Sequence, residues 1–203
     1  MEIACIVEGD GEANAVPLLV RRIIEEHDPT IYVNVFTAIV FHGESKFRRP
    51  TELARAVETA ARRTGGSGAI LVLLDSEGDC PAQLGPSLLA QAIAVRGDVP
   101  IAVVAANREF EAWFLAAAVS LHGHRGLADD LDAPPDCEGV QDAKGWLRSR
   151  MRAKEPYSPT SHQASFSAAI DLELARQRAP SFDKLCRDVQ RLVDELRASE
   201  SGI

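Results

Sequence analysis

Ala69-Ile-Leu-Val-Leu-Leu-Asp75-Ser-Glu-Gly-Asp79 decides how this chain is read. Ala69 to Leu74 is continuously apolar, follows the breaker Gly65-Gly-Ser-Gly68 and stops at Asp75. A run that short, bounded by breakers, reads as a strand buried on both faces. Such strands belong to parallel sheets covered by helices on each side. Ile3 to Val7 repeats the pattern and ends in Glu8-Gly-Asp-Gly-Glu12. Two acidic loops therefore follow two buried strands.

The rest of the first half agrees. Ile31 to Val40 is β-branched and aromatic and predicts a second strand, and Pro100 to Ala105 a fourth. Between them lie helical patterns: residues 12–26, with Val16, Leu19, Val20, Ile23 and Ile24 on one face; a helix capped by Thr51, with Leu53, Ala56, Val57 and Ala60; a weaker one at 87–95; and one from Asn107 through His122. Strands separated by helices imply right-handed crossovers. The expected fold is α/β, a mostly parallel sheet of about four strands flanked by helices, with a C-terminal helical extension.

Residues 123–139 read as a loop, 140–154 as a basic helical segment, 155–161 as another loop and 162–178 as helix. The last helix is the clearest, capped by Ser181, with Phe182, Leu185, Cys186, Val189, Leu192, Val193 and Leu196 recurring at threes and fours. The expected division is a core at 1–122 and a helical extension at 123–203, packed as one unit.

Composition narrows the class. The chain has 203 residues, 46% apolar and 26% charged, with formal net charge −8. The charge argues against a freestanding basic nucleic-acid groove. No run reaches the ~18 apolar residues of a membrane span, and no secretion signal is read. Cys5, Cys80, Cys137 and Cys186 lack metal spacing, which fits a reducing, cytoplasmic setting.

In an open parallel sheet, ligands bind beyond the carboxyl ends of the strands. Neighbouring strands would bring Glu8, Glu12, Asp75, Glu77 and Asp79 into one crevice, with Asp10 as a sixth acid. Clustered anions repel unless a cation sits among them. Hard oxygens favour Mg2+ or Mn2+, as one or two ions. Gly9, Gly11 and Gly78 are expected to allow tight backbone paths there. Gly9-Asp-Gly11 also suggests a dinucleotide loop, but the third glycine is missing and the acids would repel a pyrophosphate. Lys46, Arg48 and Arg49 follow the second strand and are candidates to hold phosphates. Lys144, Arg148, Arg150 and Arg152 read as a solvated helix face, Trp113 and Phe114 as core, and His42 and His162 as bases only by proximity.

Val7-Glu8-Gly9 with Glu12, and Leu71-Val-Leu-Leu-Asp75-Ser-Glu77, resemble the Toprim domain of topoisomerases, primases and overcoming-lysogenization-defect nucleases. Glu77 stands where that pattern has a second Asp, which lengthens one ligand. Asn107-Arg-Glu-Phe-Glu-Ala-Trp-Phe-Leu115 and the segment from Lys154 through Tyr157 to Gln163 make the chain similar to a bacterial Toprim-like family, domain-of-unknown-function family 4276. The resemblance implies a Toprim-like (Rossmann-like) core and metal-dependent phosphodiester cleavage or phosphoryl transfer. Glu8 would be ligand or general base, and Asp75 and Glu77 metal ligands. Glu109 or Glu111 would be an additional ligand, and Lys154 would stabilise transition-state charge. It implies nucleic acid as substrate, DNA ahead of RNA, with a partner ATPase in a defence-type system. A homodimer is among the expected assemblies. Two alternatives stand beside this: a catalytically weak regulatory or partner-binding module that keeps the acidic pocket, and a phosphatase of small substrates.

Overall fold

The apolar runs become strands whose side chains alternate between two cores. The computed structural model describes residues 1–41, 49–152 and 156–201. Its sheet has five strands: β1 (Glu2–Val7), β2 (Asn34–Val35), β3 (Ile39–Val40), β4 (Ala69–Asp75) and β5 (Ile101–Ala106). These pair in parallel in the order β2-β1-β4-β5, and β3 joins β1 beyond β2.

The period of two sorts the residues. Ile3, Cys5, Val7, Leu71, Leu73, Ala102 and Val104 face one core. That side is covered by α1 (Glu12–His27), α4 (Ala112–Ala116), α6 (Pro159–Ala169), α7 (Leu172–Arg178) and α8 (Pro180–Ser201). Ala4, Ile6, Ile70, Val72, Leu74, Ile101, Val103 and Ala105 face the other, under α2 (Pro50–Arg63) and α3 (Pro81–Val95). A further short helix, α5 (Ala143–Ser149), lies in the long connection before α6. Among the described residues no helix is long and apolar enough to cross a membrane.

Several boundaries differ from the sequence reading. The second strand forms only at 34–35 and 39–40, because the chain leaves the ladder between them: Ala38 N–H donates to Ala13 O in α1. Thr51 does not cap α2; Arg49 holds the N-cap position and Pro50 starts the helix with φ already set. Pro81 likewise starts α3, six residues before the expected onset. Asn107 is no helix cap. Its N–H donates to Ser181 Oγ (3.1 Å) and its amide to Glu138 Oε2 (3.2 Å). Arg108 then takes φ +59°, which no helical residue adopts, so α4 begins only after Glu111.

The basic segment is helical only at 143–149, capped by Asp142. Residues 159–161 already belong to α6, and the helix expected over 162–178 breaks at Ile170 and restarts under the Asp171 cap. Ser181 lies inside the first turn of α8, its hydroxyl given to Glu138.

Candidate functional site

β1 and β4 are neighbours, with Ile6 opposite Val72, so their carboxyl ends open at the same edge. Glu8 there accepts the Asp75 N–H on Oε2 at 3.1 Å. The two acidic loops meet where expected, strand end against strand end.

The loops after β4 and β5 are also joined. Ser76 N–H donates to Ala106 O, Glu77 N–H to Arg108 O, and Arg108 N–H to Ser76 Oγ, at 2.9 to 3.0 Å. This pairing holds Glu77 at φ +53° and Arg108 at φ +59°. Left-handed backbone at non-glycine residues stores about 1–3 kcal/mol each and gathers at functional sites. The expected glycine turns are not the device: Gly9, Gly11 and Gly78 are not among the positive-φ glycines. Gly11 is required for another reason. A Cβ there would overlap the Gln163 carboxamide and stand 2.8 Å from the Pro159 carbonyl carbon, so glycine lets α6 close against α1.

Five carboxyls gather at this edge. Glu12 reaches back from α1 to accept the N–H groups of Glu8 and Gly9 (3.1 and 3.3 Å), which fixes the first loop. Asp75 accepts the Phe110 N–H on Oδ1 at 2.7 Å. Glu111 is fully buried and accepts Tyr157 Oη–H and Gln163 Nε2–H on Oε1, both at 2.9 Å. Lys144 of α5 enters from the side. Its Nζ lies 2.9 Å from Glu109 Oε1, 3.4 Å from Asp75 Oδ2 and 3.5 Å from Glu111 Oε2. Its own N–H donates to Glu109 Oε2.

Burial governs the protonation of this group. Desolvation, with the Glu8 and Glu111 charges, pushes Glu12 up to about 7, against the pull of the two backbone N–H bonds. Asp75 is raised well above the ordinary carboxylate range, first by burial and then by the Glu12 charge, with Lys144 opposing. Burial alone would lower Lys144; the charges of Glu111, Asp75 and Glu109 override it, so the ammonium is held. Tyr157 is raised by burial and the Glu111 charge and stays a neutral donor.

Glu77 and Asp79 are exposed on the following loop and do not join the buried acids. Arg49 is exposed before α2. Lys46, Arg48, Lys154 and His42 lie outside the described residues. Trp113 and Phe114 are core, as expected. His162 is buried against Tyr157 and Phe166 with Nδ1 bonded at Ser158, a packing position rather than a base. Among the described residues no three His, Cys, Asp or Glu side chains form a ready metal cage. The ammonium of Lys144 occupies the space between Asp75, Glu109 and Glu111.

Lys144, Arg108, Tyr157 and Gln163 were not assigned site roles from sequence. For Lys144 a signal existed: it follows the Asp142 cap and adjoins Ala143, which shares the buried side of α5 with Leu147. A lysine beside that stripe is not on the solvated face.

A family model described as "Domain of unknown function (DUF4276)" matches residues 7–190. No curated protein and no solved structure matches the chain.

Proposed function

The chain belongs to the DUF4276 family, whose description states no activity, and from the chemistry of its buried acids we propose a metal-dependent phosphodiesterase of Toprim type acting on nucleic acid. One observation carries this: Glu8, Glu12, Asp75, Glu109 and Glu111 converge from three parallel strand ends on a buried group with Lys144 as counter-ion.

The donor set suits a hard divalent cation. It offers carboxylate oxygens alone, and Glu111 Oε2 is buried without a hydrogen bond, 3.5 Å from the ammonium. Burial first, and then the neighbouring carboxylate charges, raise the affinity of Glu12 and Asp75 for protons, and both effects favour a bound cation among them. Asp75, Glu109 and Glu111 would hold Mg2+ or Mn2+ where Lys144 now stands, with Glu8 adjoining. Glu77 and Asp79, on the exposed loop, are candidates to complete a shell. When bound, such an ion lowers the pKa of a coordinated water and neutralises charge on a phosphoryl oxygen.

The chain's own groups supply the rest. Glu12 holds the Glu8 loop, so Glu8 can take a proton from the attacking water at a fixed position. Tyr157 and Gln163 fix Glu111. Lys144, once displaced, can neutralise charge on the phosphate. Lys154 is assigned the same service by resemblance, and Lys46, Arg48 and Arg49 phosphate contacts. Arg108 joins them: its guanidinium has no ion-pair partner among the described residues, and it is held in strained backbone beside Glu109. The net charge of −8 leaves little general attraction for polynucleotides, so we assign delivery of the substrate to a partner, an ATPase by resemblance.

A second reading, a regulatory module that keeps the pocket, is favoured by the ammonium already filling its centre. Cleavage assays with Mn2+ separate the two. Wild-type protein should cut single-stranded or duplex nucleic acid, and Asp75→Asn and Glu8→Gln should each lose about a hundredfold or more. No cleavage by wild type either alone or with its partner ATPase, or equal cleavage by Asp75→Asn, refutes the enzyme.

A further inference from the structure

A second site adjoins the acids. A cleft of about 490 Å³ opens between the start of α3 (Pro81, Ala82, Pro86), the end of β5 (Ala105, Asn107) and the first turns of α8 (Ser181, Lys184). That volume is in the range of small-ligand sites. It shares two chain segments with the acidic group. Asn107 is two residues from Glu109, so their Cα atoms lie within about 7 Å, and the loop from Asp75 runs directly to Cys80 and Pro81.

The walls have a definite chemistry. Proline rings and alanine methyls give flat, carbon-rich surface. At depth, Glu138 accepts hydrogen bonds from Ser181 N–H at 2.8 Å, Ser181 Oγ–H at 2.5 Å and Asn107 Nδ2–H at 3.2 Å. Two cations, Lys184 and Arg187, stand at the lip. Arg187 shares Asp183 with Arg176, and Lys184 shares Asp188 with Arg191, which also reaches Glu195. Lys184 and Arg187 are the two of these cations that line the cleft, each held in place by an ion pair, to Asp188 and Asp183.

We propose that this cleft receives one unstacked nucleotide of the substrate strand, its base on the proline and alanine wall and its phosphate toward Lys184 and Arg187. The proposal rests on the reading of the acidic group as a phosphodiester-cleaving centre, and it narrows the substrate to single-stranded or locally opened nucleic acid. A paired base cannot leave its stack to enter a cleft of this size without being flipped. Packing a base against proline rings and alanine methyls buries apolar area without reading sequence, so it does not need the broad basic groove this chain lacks.

Cys80 is a native reporter. It lines the cleft and is exposed, whereas Cys5, Cys137 and Cys186 are buried. The test is alkylation of Cys80 by N-ethylmaleimide in the full chain, in EDTA, with and without a saturating oligothymidylate. The expected result is about tenfold protection, the order expected from burying one base face against apolar carbon. Ala82→Trp should lose it; Ala82 is exposed on the wall, so the indole fills the cleft without entering the core. Lys184→Ala should weaken protection in the same way. An unchanged alkylation rate with bound oligonucleotide, or full protection of Ala82→Trp, overturns the proposal. In Mn2+, Ala82→Trp should raise KM about tenfold more than it lowers kcat on single strands, and equal turnover of an intact blunt duplex would also overturn it. Protection of Cys80 without any cleavage would instead count against the acidic group as a catalytic centre, so the two failures are distinguishable.

Discussion

Replacing Lys144 by methionine removes one charge and keeps most of the apolar stem. The ammonium lies 2.9 Å from Glu109, 3.4 Å from Asp75 and 3.5 Å from Glu111, and Glu111 has no exposed surface. Deleting one partner of a buried ionic group costs about 3–5 kcal/mol, mostly through the charges left behind. Lys144 keeps 29% of its side-chain surface exposed, so water screens part of that and the lower end applies, about 3 kcal/mol. A chain of this size loses about 2–4 °C of Tm per kcal/mol, so the melting point should fall by roughly 6–12 °C. The assay is thermal unfolding followed by circular dichroism at pH 8 in EDTA, above the Glu12 pKa of about 7. The gap should narrow at pH 5, where Glu12, raised to about 7, carries a proton. Millimolar Mn2+ should then raise the variant's Tm by more than the wild type's, because the ion fills a vacated place instead of displacing an ammonium. A variant that melts within about 2 °C of wild type in EDTA, or an equal Mn2+ shift for both, refutes the reasoning.

The Glu12 carboxyl, raised to about 7, fixes the sign of a pH effect. The folded chain holds that proton more tightly than the unfolded one, so metal-free stability should be full below the unfolded pKa near 4.5 and fall as pH rises toward 7. Mn2+ affinity should rise across the same window, as calorimetry at pH 5.5 and 7.5 would register; the reverse trend would contradict the assignment. Gly11→Ala should cost about 1–3 kcal/mol in a denaturant melt, because a Cβ meets Pro159 backbone at 2.8 and 2.9 Å, and backbone cannot yield as a side-chain end can. Arg108→Gly should gain about 1 kcal/mol by relieving φ +59° while weakening oligonucleotide binding in an anisotropy titration. Greater stability with undiminished binding would remove Arg108 from the site.

Much of this arrangement was legible because burial writes itself into composition. Ala69 to Leu74 and Ile3 to Val7 could only be strands covered on both faces, and the acids at their ends followed by position. Glu109 and Glu111 came from resemblance, and both lie at the buried group. What escaped depended on long-range partners. The stretch from Asn107 to Glu111 carries good helix signals, yet Ser181, Glu138 and Ser76 claim its polar groups and hold Arg108 out of the helical region. Lys144 reads as solvated within a basic run; its place beside the buried Ala143 hints that it faces inward, but only the fold shows its partners, carboxylates 33 and 35 residues earlier in the chain, at Glu111 and Glu109. Position places Glu77 and Asp79 in the crevice, and resemblance makes Glu77 a ligand, but the left-handed turn at Glu77 leaves both exposed.

The central claim, that the carboxyls at the ends of β1, β4 and β5 form a divalent-cation site, is tested most directly by an anomalous difference map from crystals soaked in Mn2+. The account predicts a peak bonded to Asp75, with Glu109 or Glu111 beside it and the Lys144 ammonium moved aside. An empty map at that edge, with Lys144 still seated among Asp75, Glu109 and Glu111, would contradict it.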